Sequence, residues 1–256
     1  MRPTEYDAMF QLEDSYWWFE GSMRFILSEF GDIPTGKTGR VLDAGCGTGG
    51  LLRRLAHRKA WGVEIASEGI RFCQQRGLDN ILQASVTELP FRPNSFDVVL
   101  SIDVLVHKWV PDDVSALREI HRVLVPGGFA LLQVAAYRVL WSAHDVATLT
   151  RHRYTRDELA EKVKRAGFDM VRITYRNALL SPLAVLVKLL RRARANTATR
   201  SDLVVLPRFL DRGLFFLLTF ENYVARQVSL PFGVSIFCVA RKPLSRNHPE
   251  VPVARP

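Results

Sequence analysis

The sequence predicts an α/β fold, a doubly wound and mostly parallel sheet with one helical insertion. Three observations predict it. The stretch Arg40 to Leu55, RVLDAGCGTGGLLRRL, reads as a buried strand end, a glycine loop and a helix start, in that order. Downstream, short apolar runs alternate with amphipathic stretches, the rhythm of strand–helix–strand units. The 256 residues, 48% of them hydrophobic, suffice for one large α/β domain carrying an insertion.

Residues 1–36 place Tyr6, Phe10, Tyr16, Trp17, Trp18 and Phe19 ahead of a helical run from Phe25 to Phe30. So many aromatics before the first strand suggest either a flap over a ligand mouth or packing on the sheet edge. Val41 and Leu42 close the first strand. Gly45, Gly47, Gly49 and Gly50 make a loop thin enough for a ligand to press on the backbone, and the free N–H groups of the following helix start face it. Residues 60–65 read as the second strand. Glu64 ends it, roughly 20 residues past the first loop glycine, where an acid takes ribose hydroxyls in a doubly wound fold. The other reading of Glu64 is a solvated helix cap. A helix over 67–76 follows, with Ser67 as its N-cap.

Strand three is expected at 81–84 and strand four at 96–102, apolar on both faces as a central strand should be. An amphipathic helix covers 112–123, and the turn LVPGG leads into strand five at 129–134. The loop after it gathers Trp141, His144, Asp145, His152, Arg153 and Tyr154. Thr155 and Glu158 read as a capping box for a helix over 156–166. Strand six falls at 169–175 and strand seven at 234–240. The intervening residues are too many for a bare loop and hold two apolar helical stretches, 178–195 and 203–228. The organisation read from this is a flap over 1–36, a core over 37–176 and 231–243, an insertion over 177–230 and a disordered tail over 244–256.

The glycine pattern alone also fits a dinucleotide site. Asp43, two residues before Gly45 at the carboxyl end of the first strand, separates the two. A carboxylate there repels a pyrophosphate and suits a cationic cofactor such as S-adenosylmethionine, which has ammonium and sulfonium groups. Here the run resembles motif I of the class I S-adenosylmethionine-dependent methyltransferases, in their type 11-like branch. DSYWWFEGSMRFIL resembles the opening of a bacterial branch of that family, and REIHRVLVPGGFALL is close to a family hallmark. Together with the LPF…SFDVV spacing, the likeness covers residues 38–135.

That resemblance implies a seven-stranded sheet with an antiparallel last strand. It also implies a cofactor site of Asp43, Gly45, Cys46, Gly47, Glu64, Ile65, Ser85, Val86, Ser101, Asp103 and His107. Relatives with the Trp-Trp-Phe opening show a His-Asp…His…Arg-Arg-Tyr signature after strand five. This chain keeps His144, Asp145, Arg153 and Tyr154, but has Thr150 in place of the second His and His152 in place of an Arg. Methyl transfer needs a protein base only if the acceptor must lose a proton. The order of candidates is His144, His107, then His152, with Tyr154 also near and Asp145 placed to orient a neighbouring His.

The formal charge of +9 fits solubility as well as an acidic partner. Three scattered cysteines make no disulfide framework or zinc site, and the His144–His152 spacing matches no common metal site. No signal-peptide core opens the chain and no apolar run reaches a membrane-spanning length, so a cytoplasmic protein is expected, peripheral membrane contact being left open. The apolar insertion reads as a lid over a greasy acceptor pocket, a membrane contact, or a dimer or packing face. The expected function is methyl transfer to a small, lipophilic acceptor on O, N or C. Two alternatives stay open: a cofactor-binding protein of this fold that does not methylate, or an RNA methyltransferase. No nucleic-acid partner is expected, because SIDVLVHKW stands where an Asn/Asp-Pro-Pro-aromatic run would be.

Overall fold

The computed structural model describes residues 1–34, 39–55, 58–179, 181–182 and 207–244. Its centre is a seven-stranded sheet in the order β3-β2-β1-β4-β5-β7-β6. The strands are β1 (Arg40–Ala44), β2 (Lys59–Glu64), β3 (Ile81–Gln83), β4 (Phe96–Ile102), β5 (Leu124–Ala135), β6 (Asp169–Arg176) and β7 (Ser235–Arg241). β1 to β5 pair in parallel, while β7 runs antiparallel to both β5 and β6. The doubly wound sheet with a reversed last strand is therefore present as expected. The strand order reverses between β1 and β4, and this switch point opens a crevice at the carboxyl ends of the strands.

Alternation explains how both faces of the sheet are covered. On β1, Val41 packs with Phe25, Ile26, Leu51 and Leu52 on one face, and Leu42 packs with Leu117 and Ile120 on the other. β4 divides in the same way, with Val98 and Leu100 on the first face and Val99 on the second. The first face is covered by α2 (Trp17–Gly31), α3 (Gly50–Arg54) and α8 (Arg208–Gln227). The second is covered by α5 (Asp113–Val123) and α7 (Arg156–Arg165). Phe25, 1% exposed, meets Phe237 edge-on at 5.0 Å between ring centres, which fixes α2 on the sheet.

Several local expectations need correction. β5 starts at Leu124 rather than 129, because Phe96 pairs with Leu124 and Val98 with Phe129, so a bulge absorbs Pro126 to Gly128. The cap of α4 (Ser67–Gln75) is Ala66 and not Ser67; the Glu64 carboxylate takes the Ala66 N–H at 2.9 Å. Thr155 does cap α7, accepting from Glu158 N at 3.3 Å. The Glu158 side chain, however, turns to His152 and Lys162 instead of closing a capping box. The box sits elsewhere, between Ser142 and Asp145 at the start of the short helix α6 (Ala143–Ala147). Of the two insertion helices, α8 matches the second. The first lies almost wholly outside the described residues, as do residues 245–256 of the tail. α8 leaves Phe209, Phe216, Phe220 and Tyr223 exposed, each between 60% and 74%.

Candidate functional site

The cradle assembles at the carboxyl ends of β1, β2 and β4. Asp43 is 3% exposed at the end of β1, and none of the described residues hydrogen-bonds its carboxylate. Burial, then the nearby charges of Glu64 and Glu13, push its pKa up to about 7. Glu64, 6% exposed, closes β2 beside it. Asp103 follows β4 with a φ of +58° and accepts from Gln133 Nε2 at 2.8 Å. Burial raises its pKa, and Gln133, Arg176, His144 and Arg153 work against that rise. Two buried acids and the half-buried Asp103 at one crevice, with Asp43 lacking any hydrogen-bond partner, form a negative hole.

The glycine loop differs from its simplest reading. Its amides do not all face outward: Gly45 N and Cys46 N donate to Val63 O at 2.8 and 3.0 Å, and Gly47 N donates to Glu64 Oε2 at 2.9 Å. Gly45, at φ +95°, has Val104 pressed where a side chain would start, so only glycine fits. Cys46 and Cys73 lie 3.9 Å apart, sulfur to sulfur, beneath the loop as free thiols. Beyond the loop, Ser85 Oγ bonds Thr87 Oγ1 at 2.7 Å and shapes the turn, Val86 is buried next to it, and Ile65 is 37% exposed. Ser101 Oγ is buried without a hydrogen-bond partner.

Across the loop lies α1 (Pro3–Leu12), which the sequence marked only as aromatic. Tyr6 Oη donates to Glu64 Oε1 at 3.0 Å, and Met9 sits 3.2 Å from where a Gly47 side chain would begin. Burial, then Glu64, holds the Tyr6 hydroxyl protonated far above its usual range. Ion pairs clamp the segment down: Arg76 with Glu13 at 2.5 Å and Asp14 at 2.8 Å, Arg53 with Asp14 at 2.6 Å, Arg54 with Glu20 at 2.6 Å. Phe10 stacks on Phe72 at 4.5 Å. Tyr6 is a cradle residue that no motif flagged; a lone tyrosine 58 positions before its partner leaves no local signal.

The other wall is the loop after β5. His107 lies near the backbone of Thr148 and Leu149, and its buried Nδ1 has no hydrogen-bond partner. Burial lowers its pKa to about 4, so it is neutral and a weak base. His144 also holds a buried Nδ1 without a hydrogen-bond partner, close enough to Asp103 to influence that carboxyl. His152 is set apart, its Nε2 2.7 Å from Glu158 Oε1. Tyr154 is fully buried and donates to Asp113 Oδ2 at 2.6 Å and Leu105 O at 3.2 Å, which leaves it to brace the loop. Asp145 orients no histidine. It takes Arg153 Nε at 2.7 Å and Nη2 at 3.1 Å, and caps Ser142 N at 2.7 Å. Among the described residues no group of three or more metal-ligating side chains gathers.

A buried polar chain joins the two walls to the helices behind them. Gln133 Oε1 accepts from Arg176 Nη1 at 2.5 Å, Arg176 Nη2 donates to Asn222 Oδ1 at 3.0 Å, and Asn222 Nδ2 donates to Gly21 O at 2.9 Å. Arg176 is 0% exposed, and its guanidinium lies 3.9 Å over the Phe25 ring. This chain ties Asp103 to α8 and α2.

The residues present fit S-adenosylmethionine. An uncompensated buried carboxylate at Asp43, with Glu64 and Asp103 beside it, is what a cation satisfies and a pyrophosphate does not. Comparison with known proteins agrees. Residues 42–132 match the family model described as a methyltransferase domain. A probable phthiotriol/phenolphthiotriol dimycocerosates methyltransferase of Mycobacterium ulcerans is 40% identical over 98 residues, 35% of this chain and 37% of its own length. A fatty-acid O-methyltransferase of Mycolicibacterium smegmatis is 39% identical over 100 residues, 36% of this chain and 35% of its own. The chain thus aligns with little more than a third of either relative. Other relatives are named for sterol methylation in Oryza sativa and tRNA methylation in Arabidopsis thaliana. A solved S-adenosylmethionine-dependent methyltransferase of Thermotoga maritima superposes with a TM-score of 0.61 at 18% identity, covering 93% of this chain and 95% of that one, which shows the shared fold.

Proposed function

We propose that the protein, whose residues 42–132 match the methyltransferase-domain family model, transfers a methyl group from S-adenosylmethionine to a small, lipophilic acceptor. The observation that carries this is Asp43, a buried acid that nothing in the described chain neutralises. Asp43, Glu64 and Asp103 would hold the cofactor's cationic and ribose groups. When bound, S-adenosylmethionine supplies an already activated methyl group, so the protein's task is alignment more than activation. α1 excludes water from the cradle through Tyr6 and Met9. His144, beside Asp103, is the group placed to hold a proton released by the acceptor. His107, with its pKa near 4, and the braced Tyr154 are poor at that task.

Two observations support a lipophilic acceptor. α8 presents Phe209, Phe216, Phe220 and Tyr223 to the surface, and two relatives are named for fatty acids and for phthiotriol/phenolphthiotriol dimycocerosates. The same exposed face supports peripheral contact with a lipid surface. The test is transfer of labelled methyl from S-adenosylmethionine to a panel of fatty acids, prenyl and sterol lipids, and transfer RNA. Label in a lipid fraction supports the reading. Label confined to RNA moves the acceptor to that class, and donor binding without label anywhere supports a non-methylating protein.

A further inference from the structure

We propose that the cavity under the loop following β5 is an anion pocket that seats a carboxylate or phosphate head group of the acceptor. This rests on the methyl-transfer reading and names its substrate class. The cavity, about 370 Å³, is lined by Arg138, Trp141, Arg151, His152 and Arg153. A count of charges decides what it is for. Arg153 is fully used, by the Asp145 carboxylate and by Ala136 O at 2.9 Å, so this pair builds the wall and is neutral. Glu158 is answered by Lys162 at 2.8 Å and by His152. Asp113 is already taken by Tyr154 Oη at 2.6 Å and Lys162 at 2.7 Å, which leaves Arg151 a long third contact of 3.4 Å.

Arg138 is exposed, and no described residue pairs with its guanidinium. Lys162 serves both Glu158 and Asp113, so Arg151 offsets part of that excess acid, and with Arg138 unpaired the two guanidinium groups line a cavity that keeps one net positive charge. Their paired N–H donors match the oxygens of a carboxylate or phosphate. Trp141 supplies an aromatic wall for the first carbons of a tail. The volume takes a head group and a short stretch of chain.

The pocket's position suits an acceptor. Arg151 N and His152 N donate to Val106 O at 2.6 and 3.3 Å, Tyr154 Oη reaches Leu105 O, and His107 bridges Thr150. These contacts hold the lining to the segment just after β4, next to His107 and His144. Acids thus line the carboxyl ends of the strands, where the cationic donor would sit, while the cavity under the next loop is lined by arginines.

The experiment is calorimetric titration of the whole chain, saturated with S-adenosylhomocysteine, with octanoate, octyl phosphate and 1-octanol. At least tenfold tighter binding of one anion than of the alcohol is expected. The Arg138→Gln/Arg151→Gln double variant should lose that preference while binding the alcohol as before, and Arg→Lys at both positions should restore part of it. Octanoate above octyl phosphate assigns a carboxylate head, and the reverse assigns a phosphate. Equal binding of alcohol and anions, no binding of any of them, or a preference that survives in the double variant overturns the proposal. Arg138→Gln alone, on an exposed side chain, gives the same readout if the double variant does not fold. Donor affinity measured on the same samples keeps this result separate from the cofactor reading, which fails only if S-adenosylmethionine itself does not bind.

Discussion

The two walls of the crevice solve opposite electrostatic problems. On the cradle side, Asp43 and Glu64 are buried beside the half-buried Asp103 with too little positive charge, and Asp43 has none within bonding distance. On the loop side, charges are buried in matched sets: Asp145 with Arg153, and Asp113 with Lys162 and Tyr154. Matched pairs hold a backbone in place. An unmatched acid is unfavourable in the free protein and is relieved only by a ligand. The difference separates the part of the site that builds structure from the part that waits for a cofactor.

The comparison breaks most sharply at Gly45. Gly45→Val puts a side chain into Val104 at a φ of +95°, and should remove donor binding with a stability loss above about 3 kcal/mol in urea unfolding. Next in size is Arg153→Met, which leaves the buried Asp145 without its counter-charge; denaturant unfolding should show a loss of about 3–5 kcal/mol. Donor affinity should fall far less than in the Gly45 variant. Full stability in Arg153→Met would remove the distinction between the walls.

Asp43→Asn should act in two directions. Donor affinity should drop about 100-fold, as for a buried charge that loses its partner. The free protein should become more stable at pH 8. The native state keeps the Asp43 proton up to about pH 7, while the unfolded chain releases it near pH 4. Wild-type stability from this group therefore falls as pH rises between those values and stays low above 7. The variant escapes that fall, by roughly 2–4 kcal/mol, and its melting temperature at pH 8 should rise by several degrees. The smallest effect belongs to Tyr6→Phe. Loss of one hydrogen bond to Glu64 should change donor affinity no more than about tenfold, with the KM for the acceptor unaltered.

The sheet was legible because central parallel strands must be apolar on both faces, and β1 and β4 are. The cradle was legible because glycines and an acid at fixed offsets from a strand end have few other uses. The loop wall was not. Asp145 on α6 and Arg153 in the loop beyond it sit eight positions apart, a spacing with no periodic meaning, so Asp145 read as a partner for histidine. The link from Gln133 through Arg176 to Asn222 depends on the register of β5 against β7 and of β7 against β6, set only when the sheet forms. Tyr6 reaches Glu64 from a separate helix, and the same holds for it.

The central claim is that an ionised Asp43 selects a cationic donor. Calorimetric titration with S-adenosylmethionine from pH 5.5 to 8.5 tests it on wild type and Asp43→Asn. Wild-type affinity should be level above pH 7 and fall about tenfold for each unit below it, since protonation of one acid removes the attraction. The variant should bind weakly and evenly throughout. A wild-type affinity that ignores pH, or a nicotinamide dinucleotide that displaces S-adenosylmethionine, would contradict it.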